Sequence, residues 1–280
     1  MLRKTLITLV FFVTASLVFA QASQTVRFKT ADGVGIVGTY YPTGQPHSPA
    51  VLLVHSILRD RGVWTEFATL LQRNGIAALA IDLRGHGEST VKMTAQGPIK
   101  IETRDLTGQD YQDMQLDLEA ANDWLEARPE INGQRIALVA ESFGANIALR
   151  YAAINEDLAA VALFSPGINY RGVRTDDVVG QVGHIPFHLF VSQYDAFAFE
   201  SAKRLIEIRQ EAGIEGASNQ VTVCTGSLHG VEMLKGVRNL PQILLAWLKL
   251  SLQGVTSSPA ESPATATPPP ALQDKKSRSK

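Results

Sequence analysis

Short, strongly apolar segments alternate with segments of helical periodicity along most of this chain. Runs composed mainly of Val, Leu, Ile and Ala at residues 50–55, 76–83 and 135–139 have the composition of strands buried on both faces of a sheet. Residues 64–73 and 109–127 carry apolar side chains at three- and four-residue spacing, which is typical of helices packed on a sheet. Because this alternation requires crossover connections, we predict an α/β fold with a mostly parallel sheet flanked by helices.

The rest of the central region continues the pattern. Two opening strands at residues 25–28 and 35–41 flank the turn signal Ala31-Asp32-Gly33. The further predicted elements are a helix at 145–153, strands at 158–164, 188–193 and 220–224, and helices at 200–212 and 239–252. With 280 residues, of which 45% are hydrophobic, the chain is long enough to bury one large core, and we assign this domain to residues 25–252.

The first twenty residues have the pattern of an export signal. Arg3 and Lys4 precede an apolar stretch at residues 6–19, and small residues make Ala20 our first choice of cleavage site and Ala22 our second. About 14 apolar residues fall short of the roughly 20 that span a bilayer, so we expect cleavage and no stable membrane insertion afterwards. The mature protein is therefore predicted to be periplasmic or secreted.

The other end of the chain changes composition. Residues 255–280 are rich in Pro, Ala, Ser and Thr and finish in a basic run, so we predict a disordered tail whose role the sequence does not define. The net charge of −1 gives no basic surface for nucleic acid, which favours a small-molecule partner. A single cysteine, Cys224, excludes an intramolecular disulfide.

A candidate nucleophile follows the apolar run at residues 135–139. In the segment Ala140-Glu141-Ser142-Phe143-Gly144, small residues two before and two after the serine allow a sharp turn from strand to helix. The N-terminal end of the following helix favours negative charge at Ser142. The usual pattern has Gly where this chain has Ala140.

A serine hydroxyl needs a base, and histidine is the side chain suited to that task. Of six histidines, His229 lies in a loop directly after the last predicted strand. Asp195 follows the strand at 188–193, so it emerges at the same sheet edge and can orient the imidazole. We interpret three other histidines as surface or packing residues: His47, His184 and His188.

The order Ser142, Asp195, His229 and the segment from Asp82 to Ser89, Asp-Leu-Arg-Gly-His-Gly-Glu-Ser, resemble the α/β-hydrolase family. The resemblance covers residues 25–252 and is strongest to the dienelactone-hydrolase-like and small-esterase branches. It implies an eight-stranded sheet and structural roles for the polar residues of that segment. The connection at residues 165–186 is short, which predicts a minimal cap.

The same resemblance implies which groups hold the oxyanion of an acyl-transfer reaction. These are the backbone N–H of Phe143 and one N–H from the loop after the strand at 50–55, where we choose Ile57 and keep Ser56 as the alternative. His55 and Ser56 are expected to support this loop. Glu141, beside the nucleophile, either supports the neighbouring loop or has a purely structural role.

These features predict an exported serine hydrolase that cleaves small-molecule carboxylic esters through an acyl-enzyme. A peptidase or a thioesterase on the same three residues is the first alternative, because fold and site do not define the leaving group. A non-catalytic binding domain of the cell envelope is the second. No metal-ligand spacing and no phosphate-binding loop occur in the sequence, so we expect no metal and no cofactor.

Overall fold

The computed structural model describes residues 21–183 and 185–253. The predicted export signal at residues 1–20, the predicted tail at 255–280 and His184 lie outside these residues. The domain boundaries at both ends therefore stay predictions.

The described part of the chain contains twelve strands and seven α-helices. The strands are β1 (Gln24–Lys29), β2 (Val34–Tyr41), β3 (Ser48–Val54), β4 (Ala77–Asp82), β5 (Val91–Thr94), β6 (Gly97–Lys100), β7 (Ile131–Glu141), β8 (Ala160–Phe164), β9 (Asn169–Tyr170), β10 (Val173–Arg174), β11 (Phe187–Ser192) and β12 (Asn219–Cys224). The helices are α1 (Thr65–Arg73), α2 (Gly108–Asp113), α3 (Gln115–Glu126), α4 (Ser142–Ala152), α5 (Ala196–Glu211), α6 (Glu232–Gly236) and α7 (Leu240–Ser251).

Ten of the strands form one sheet in the order β12-β11-β8-β7-β3-β4-β2-β5-β6, with β1 also paired to β2. The six strands from β12 to β4 run parallel, whereas β1, β2, β5 and β6 pair antiparallel. The predicted α/β class and mostly parallel sheet are confirmed. The sheet has ten strands where eight were expected, because residues 91–100 form the additional hairpin β5–β6. Its four-residue strands are largely exposed and carry too few apolar residues to be recognised.

Alternate residues of the central strands face two separate apolar layers. On one face, Leu52 and Leu138 pack with side chains of α2, α3, α4 and α5. On the other face, Leu53 and Val139 pack with α1 and α7. Helices on both faces therefore bury the central parallel strands, as their continuous apolar composition predicts. The edge strand β12 is partly exposed, with Val221 and Val223 open to solvent.

One of the predicted helices differs in detail from the structure. The helix predicted at residues 109–127 is divided at Met114, where the N–H of Asp117 bonds to the Met114 carbonyl in a tighter turn of three residues. In the connection at 165–186, the described residues (all but His184) form the hairpin β9–β10 and a 3₁₀ turn at residues 179–181, in agreement with a minimal cap.

Candidate functional site

Strand β7 passes directly into α4 at Ser142, with no loop residue between them. Ser142 has a φ of +51°, in the left-handed region that residues with a Cβ seldom adopt. Gly144 lies against the end of β3, where an added Cβ would collide with the carbonyl oxygen of His55. The small residue after Ser142 thus lets α4 approach the sheet. The small residue before it, Ala140, is fully buried in β7.

The structure brings Ser142, His229 and Asp195 into one hydrogen-bonded chain. His229 Nε2 lies 2.7 Å from Ser142 Oγ, and His229 Nδ1 lies 2.6 Å from Asp195 Oδ2. A carboxylate only accepts hydrogen bonds, so Nδ1 carries the imidazole proton and Nε2 is left to accept from the serine hydroxyl. The arrangement can therefore remove a proton from Ser142 and create a nucleophile.

All three side chains follow the carboxyl ends of parallel strands. Ser142 follows β7, Asp195 lies three residues after the end of β11, and His229 lies five residues after the end of β12. Parallel strands present these ends at one edge of the sheet, which explains how residues far apart in the chain meet.

Two buried serines fix the loop that carries His229. The Ser192 hydroxyl donates to the Leu228 carbonyl at 2.5 Å, and Ser165 Oγ accepts from the Gly230 N–H at 3.0 Å. The loop is thus held on both sides of His229. We did not predict either serine from the sequence, although each is a polar residue at the end of an apolar strand, which is a usable signal.

Glu141 connects two loops of the site. Its buried carboxylate accepts from the Ser56 N–H at 3.2 Å and from the Val231 N–H at 2.7 Å. Burial raises the pKa of this carboxyl above its ordinary value, while the two N–H groups act in the opposite direction. An added Cβ at Gly230 would collide with the same carboxylate, so the His229 loop packs directly on it. Glu141 therefore supports both neighbouring loops.

The fully buried side chain of His55 holds the loop after β3 through hydrogen bonds on both ring nitrogens. Nδ1 of His55 donates to the Ser56 carbonyl at 2.6 Å, and Nε2 accepts from the Leu83 N–H at 3.0 Å. Burial lowers the pKa of His55 to about 3, so the ring is neutral. Because the Ser56 N–H already bonds to Glu141, Ile57 is the better placed of the two predicted donors in this loop.

The Phe143 N–H lies in the first turn of α4, where backbone N–H groups have no intrahelical acceptor. An anion bound beside Ser142 would thus meet the positive end of the α4 dipole. This is the electrostatic requirement for an oxyanion, and the assignment of Phe143 and Ile57 to that role stays a prediction.

The short cap adds a residue that we did not predict from the sequence. Tyr170, on the hairpin β9–β10, has its hydroxyl close enough to Ser142 and to the Asp195 carboxylate to interact with both. The tight turn of this hairpin, Arg171-Gly172, has positive φ at both residues. An X-Gly pair of this kind is a recognisable turn signal, but it does not reveal that the hairpin folds over Ser142.

The polar segment after β4 has structural partners. Arg84, fully buried, donates from Nε to Asp117 Oδ1 at 2.9 Å and also pairs with Asp32. Asp82 accepts from the backbone N–H of Arg61 at 2.8 Å. These contacts bind the loop to the helices and strands around it, in agreement with the structural roles expected for the segment.

Two further histidines and the single cysteine each occupy a different part of the fold. His188 is buried in β11 with Nε2 2.8 Å from Thr222 Oγ1, and His47 is exposed. Cys224 is a buried free thiol. Among residues 21–183 and 185–253, no group of three or more His, Cys, Asp or Glu side chains is arranged to hold a metal ion. None of the described helices is long and apolar enough to cross a membrane.

Sequence comparison identifies relatives of the central part of the chain. The serine aminopeptidase S33 family of hydrolases matches residues 45–194, more than half of the 280 residues. An uncharacterized protein of Mycobacterium tuberculosis is 31% identical over 146 residues, which are 52% of this chain and 46% of that protein. The polyketide transferase grgF of a Penicillium species is 28% identical over 148 residues, with the same shares of 52% and 46%. The matches span about half the length of these curated relatives.

Solved structures are similar over a larger part of the chain. The α/β hydrolase GrgF from Penicillium has a TM-score of 0.68 at 17% identity and covers 84% of this chain and 100% of its own. An esterase of Pyrococcus furiosus has a TM-score of 0.64 at 17% identity, covering 87% and 96%. A dienelactone hydrolase of Anabaena variabilis has a TM-score of 0.58 at 23% identity, covering 82% and 99%. At these identities the likeness establishes the fold, and together with the family match it shows that the chain belongs to the serine aminopeptidase S33 family of α/β hydrolases.

Proposed function

We propose that this protein is an exported serine hydrolase that cleaves carboxylic esters through an acyl-enzyme at Ser142. The observation that supports this most strongly is the continuous pair of hydrogen bonds, 2.7 Å from Ser142 to His229 and 2.6 Å from His229 to Asp195. These bonds join a nucleophile, a base and an orienting carboxylate in the order that acyl transfer needs. Export is inferred from the signal pattern of residues 1–20.

In the proposed reaction, Ser142 Oγ attacks the ester carbonyl carbon while its proton passes to His229 Nε2. The Phe143 and Ile57 N–H groups stabilise the oxyanion of the tetrahedral intermediate. The intermediate collapses, the alcohol leaves with the proton from His229, and an acyl-enzyme remains. Water, activated by the same imidazole, then releases the carboxylic acid. Asp195 holds the His229 tautomer throughout, and these steps need only groups of the chain and water.

Three residues are proposed to position this machinery without touching substrate. Glu141 accepts a hydrogen bond from the loop after β3 and another from the His229 loop, and so positions both loops beside the nucleophile. His55 and Ser56 order the backbone that presents the Ile57 N–H. Because oxyanion stabilisation depends on donors fixed before the reaction, loosening these contacts should slow the chemical step.

Exposed apolar side chains favour an ester with apolar groups as the substrate. Leu58 is 76% exposed in the loop after β3, Phe197 is 51% exposed just after Asp195, and Leu228 is 36% exposed just before His229. Each lies in a loop that carries or adjoins a residue of the site, and large apolar side chains exposed near a reactive group are typical of ligand sites.

Peptide hydrolysis is an alternative. The family is described as serine aminopeptidases, so the specific form of this alternative is removal of an N-terminal residue from a peptide. An aminopeptidase must pair the ammonium group of its substrate with an anion. Among the described residues, the carboxylates next to this site are already engaged: Glu141 by two N–H groups, Asp195 by His229 and Glu232 by Arg59 at 3.3 Å. We therefore place ester hydrolysis first. Thioester hydrolysis uses the same groups and differs only in the leaving atom.

The test is turnover of a short p-nitrophenyl ester by the full chain and by Ser142→Ala. We expect the variant to lose activity by a factor of about 10³ or more and to keep its circular dichroism spectrum. Ser227→Ala, an exposed serine in the His229 loop, is the matched control and should keep wild-type turnover. Equal activity of Ser142→Ala and wild type would refute the assignment. Failure of the wild type to cleave esters, thioesters and peptides would favour a binding domain of the cell envelope.

A further inference from the structure

The hydroxyl of Tyr170 lies close enough to Ser142 to interact with it. Tyr170 occupies the end of β9, opposite Val173 of β10, next to the two-residue turn of the hairpin. The ring is half-buried, and no step of the reaction above uses its hydroxyl. The Tyr170 hydroxyl therefore has no role in the reaction as described so far, although it lies beside the nucleophile.

The hairpin is anchored to the helix that carries Ser142. Asn146, one turn further along α4 and fully buried, donates from Nδ2 to the Val173 carbonyl at 2.8 Å and accepts at Oδ1 from the Gly167 N–H at 3.0 Å. Residues four apart on a helix lie on the same face. Asn146 thus ties the hairpin, both at Val173 beside its turn and at Gly167 before β9, to the face of α4 that presents Ser142.

The Tyr170 ring is held in a narrow slot. It packs edge-on against Phe197, with ring centroids 5.2 Å apart. Gly167 forms the floor, where an added Cβ would lie 2.6 Å from Tyr170 Cε2 and 2.7 Å from Phe197 Cε1. Burial and the nearby Asp195 carboxylate raise the pKa of Tyr170 to about 12. The phenol therefore stays protonated and keeps a hydrogen to donate.

The topology of the sheet defines the side from which Tyr170 approaches. The hairpin follows β8, which lies between β7 and β11, whereas the proposed oxyanion loop follows β3 on the opposite side of β7. Tyr170 therefore reaches Ser142 from the side of Asp195 and His229. In acyl transfer this is the side on which the alcohol departs, because His229 must deliver a proton to it.

We propose that the Tyr170 hydroxyl donates a hydrogen bond to the leaving-group oxygen of the bound ester and stabilises the charge that develops there as the C–O bond breaks. Tyr170 keeps its proton, and His229 supplies the one that leaves with the alcohol. This role rests on the proposed esterase function. Such a hydrogen bond would favour esters of poorly acidic alcohols, because the oxygen of a poorly acidic leaving group carries the most charge in the transition state.

The test compares Tyr170→Phe with wild type on the ethyl and p-nitrophenyl esters of the same short acid. The variant keeps the ring that packs on Phe197 and loses only the hydroxyl. We expect kcat/KM, which reports acylation, to fall about tenfold or more on the ethyl ester and less than twofold on the p-nitrophenyl ester. Tyr194→Phe, which removes a hydroxyl from the 68% exposed neighbour of Asp195, should change neither value.

The outcomes separate this role from the proposed function. Equal losses on both esters, or no loss on either, would overturn the role of Tyr170 while leaving the esterase assignment intact. The rate of labelling by a fluorophosphonate should stay within twofold of wild type, and a parallel fall would show that Tyr170 positions Ser142 instead. If the wild type cleaves neither ester, the proposed function itself fails.

Discussion

At the scale of single residues, the site contains conformations that are unfavourable in isolation. Ser142 has left-handed backbone, and His55 is buried without charge among backbone groups. Such features persist where the surrounding structure over-determines them, and they concentrate at functional sites. Here the close approach of α4 to β3, and the hydrogen bonds on both ring nitrogens of His55, are the compensating contacts.

The protonation of His55 can be measured directly. Its pKa of about 3 in the folded protein lies below the ordinary value of 6.5, so the unfolded chain binds more protons between these pH values. The contribution of His55 to stability is therefore complete above pH 6.5 and is lost as the pH falls toward 3, by up to about 1.4 kcal/mol per pH unit. NMR of the imidazole carbons should show neutral His55 at pH 5. A titration midpoint of His55 near pH 6.5 in the folded protein would contradict the lowered pKa.

The close contact at Gly144 predicts a stability effect. In Gly144→Ala the new methyl group meets the His55 carbonyl, and α4 must move away from β3. We expect the free energy of unfolding to fall by about 1–3 kcal/mol in chemical denaturation. Gly133→Ala is the control, because its Cβ would make an ordinary contact at 3.5 Å with Glu126, and it should change stability by less than about 0.5 kcal/mol. Equal effects of the two substitutions would argue against the close approach.

At the scale of elements, the site is a set of loops joined by side chains from strand ends. Glu141 at the end of β7, Ser165 after β8 and Ser192 of β11 each bond to the backbone of a neighbouring loop. The catalytic groups are thus proposed to be held by the sheet edge as a unit, and single contacts in this network should affect turnover more than overall folding.

Glu141→Gln tests that network with a minimal change. The amide can accept only on its oxygen, so one of the Ser56 and Val231 N–H groups must face an NH₂ donor. An unmade buried hydrogen bond costs about 1–3 kcal/mol, and we expect kcat to fall about tenfold with little change in KM. The exposed Glu156→Gln should behave as wild type. Wild-type kcat in Glu141→Gln would show that the carboxylate is not needed for positioning.

Elements with strong periodicity could be predicted from the sequence, and weakly patterned ones could not. The buried central strands and the helix at 64–73 have continuous or periodic apolar residues. The hairpin β5–β6 is short and largely exposed, so its sequence resembles a loop. Helix α4 begins at Ser142 and not at 145, because the strained turn needs no connecting residue.

The residues of the site likewise fall into those that the sequence reveals and those that depend on tertiary packing. Ser142, Asp195 and His229 can be selected because each combines a reactive side chain with a position just after a strand. The sequence does not reveal Tyr170, since its approach to Ser142 depends on how Asn146 anchors the hairpin β9–β10. Contacts of that kind arise only from tertiary packing.

At the scale of the whole molecule, a three-layer α/β domain leaves its proposed reactive edge open. The described residues of the cap between β8 and β11 form one hairpin and one 3₁₀ turn, and the His229 side chain is 44% exposed. Substrate should therefore reach Ser142 without a large rearrangement of a lid.

This openness predicts the dependence of rate on substrate concentration. With a sparingly soluble short-chain ester, we expect hyperbolic kinetics that continue smoothly through the solubility limit, measured as acid release at constant pH. A sharp rise in rate once droplets form would indicate a lid that opens at an interface, in conflict with the short cap.

Ser142 is proposed to be an activated nucleophile, and the roles proposed for the other site residues depend on it. The most direct measurement is reaction of the full chain with a fluorophosphonate, followed by mass spectrometry of the intact protein and its peptides. We predict a single adduct on the peptide that contains Ser142, lost in Ser142→Ala and strongly slowed in His229→Ala because the base is removed. Absence of labelling in the wild type, or an adduct at any other residue, would contradict the assignment of Ser142 as the nucleophile.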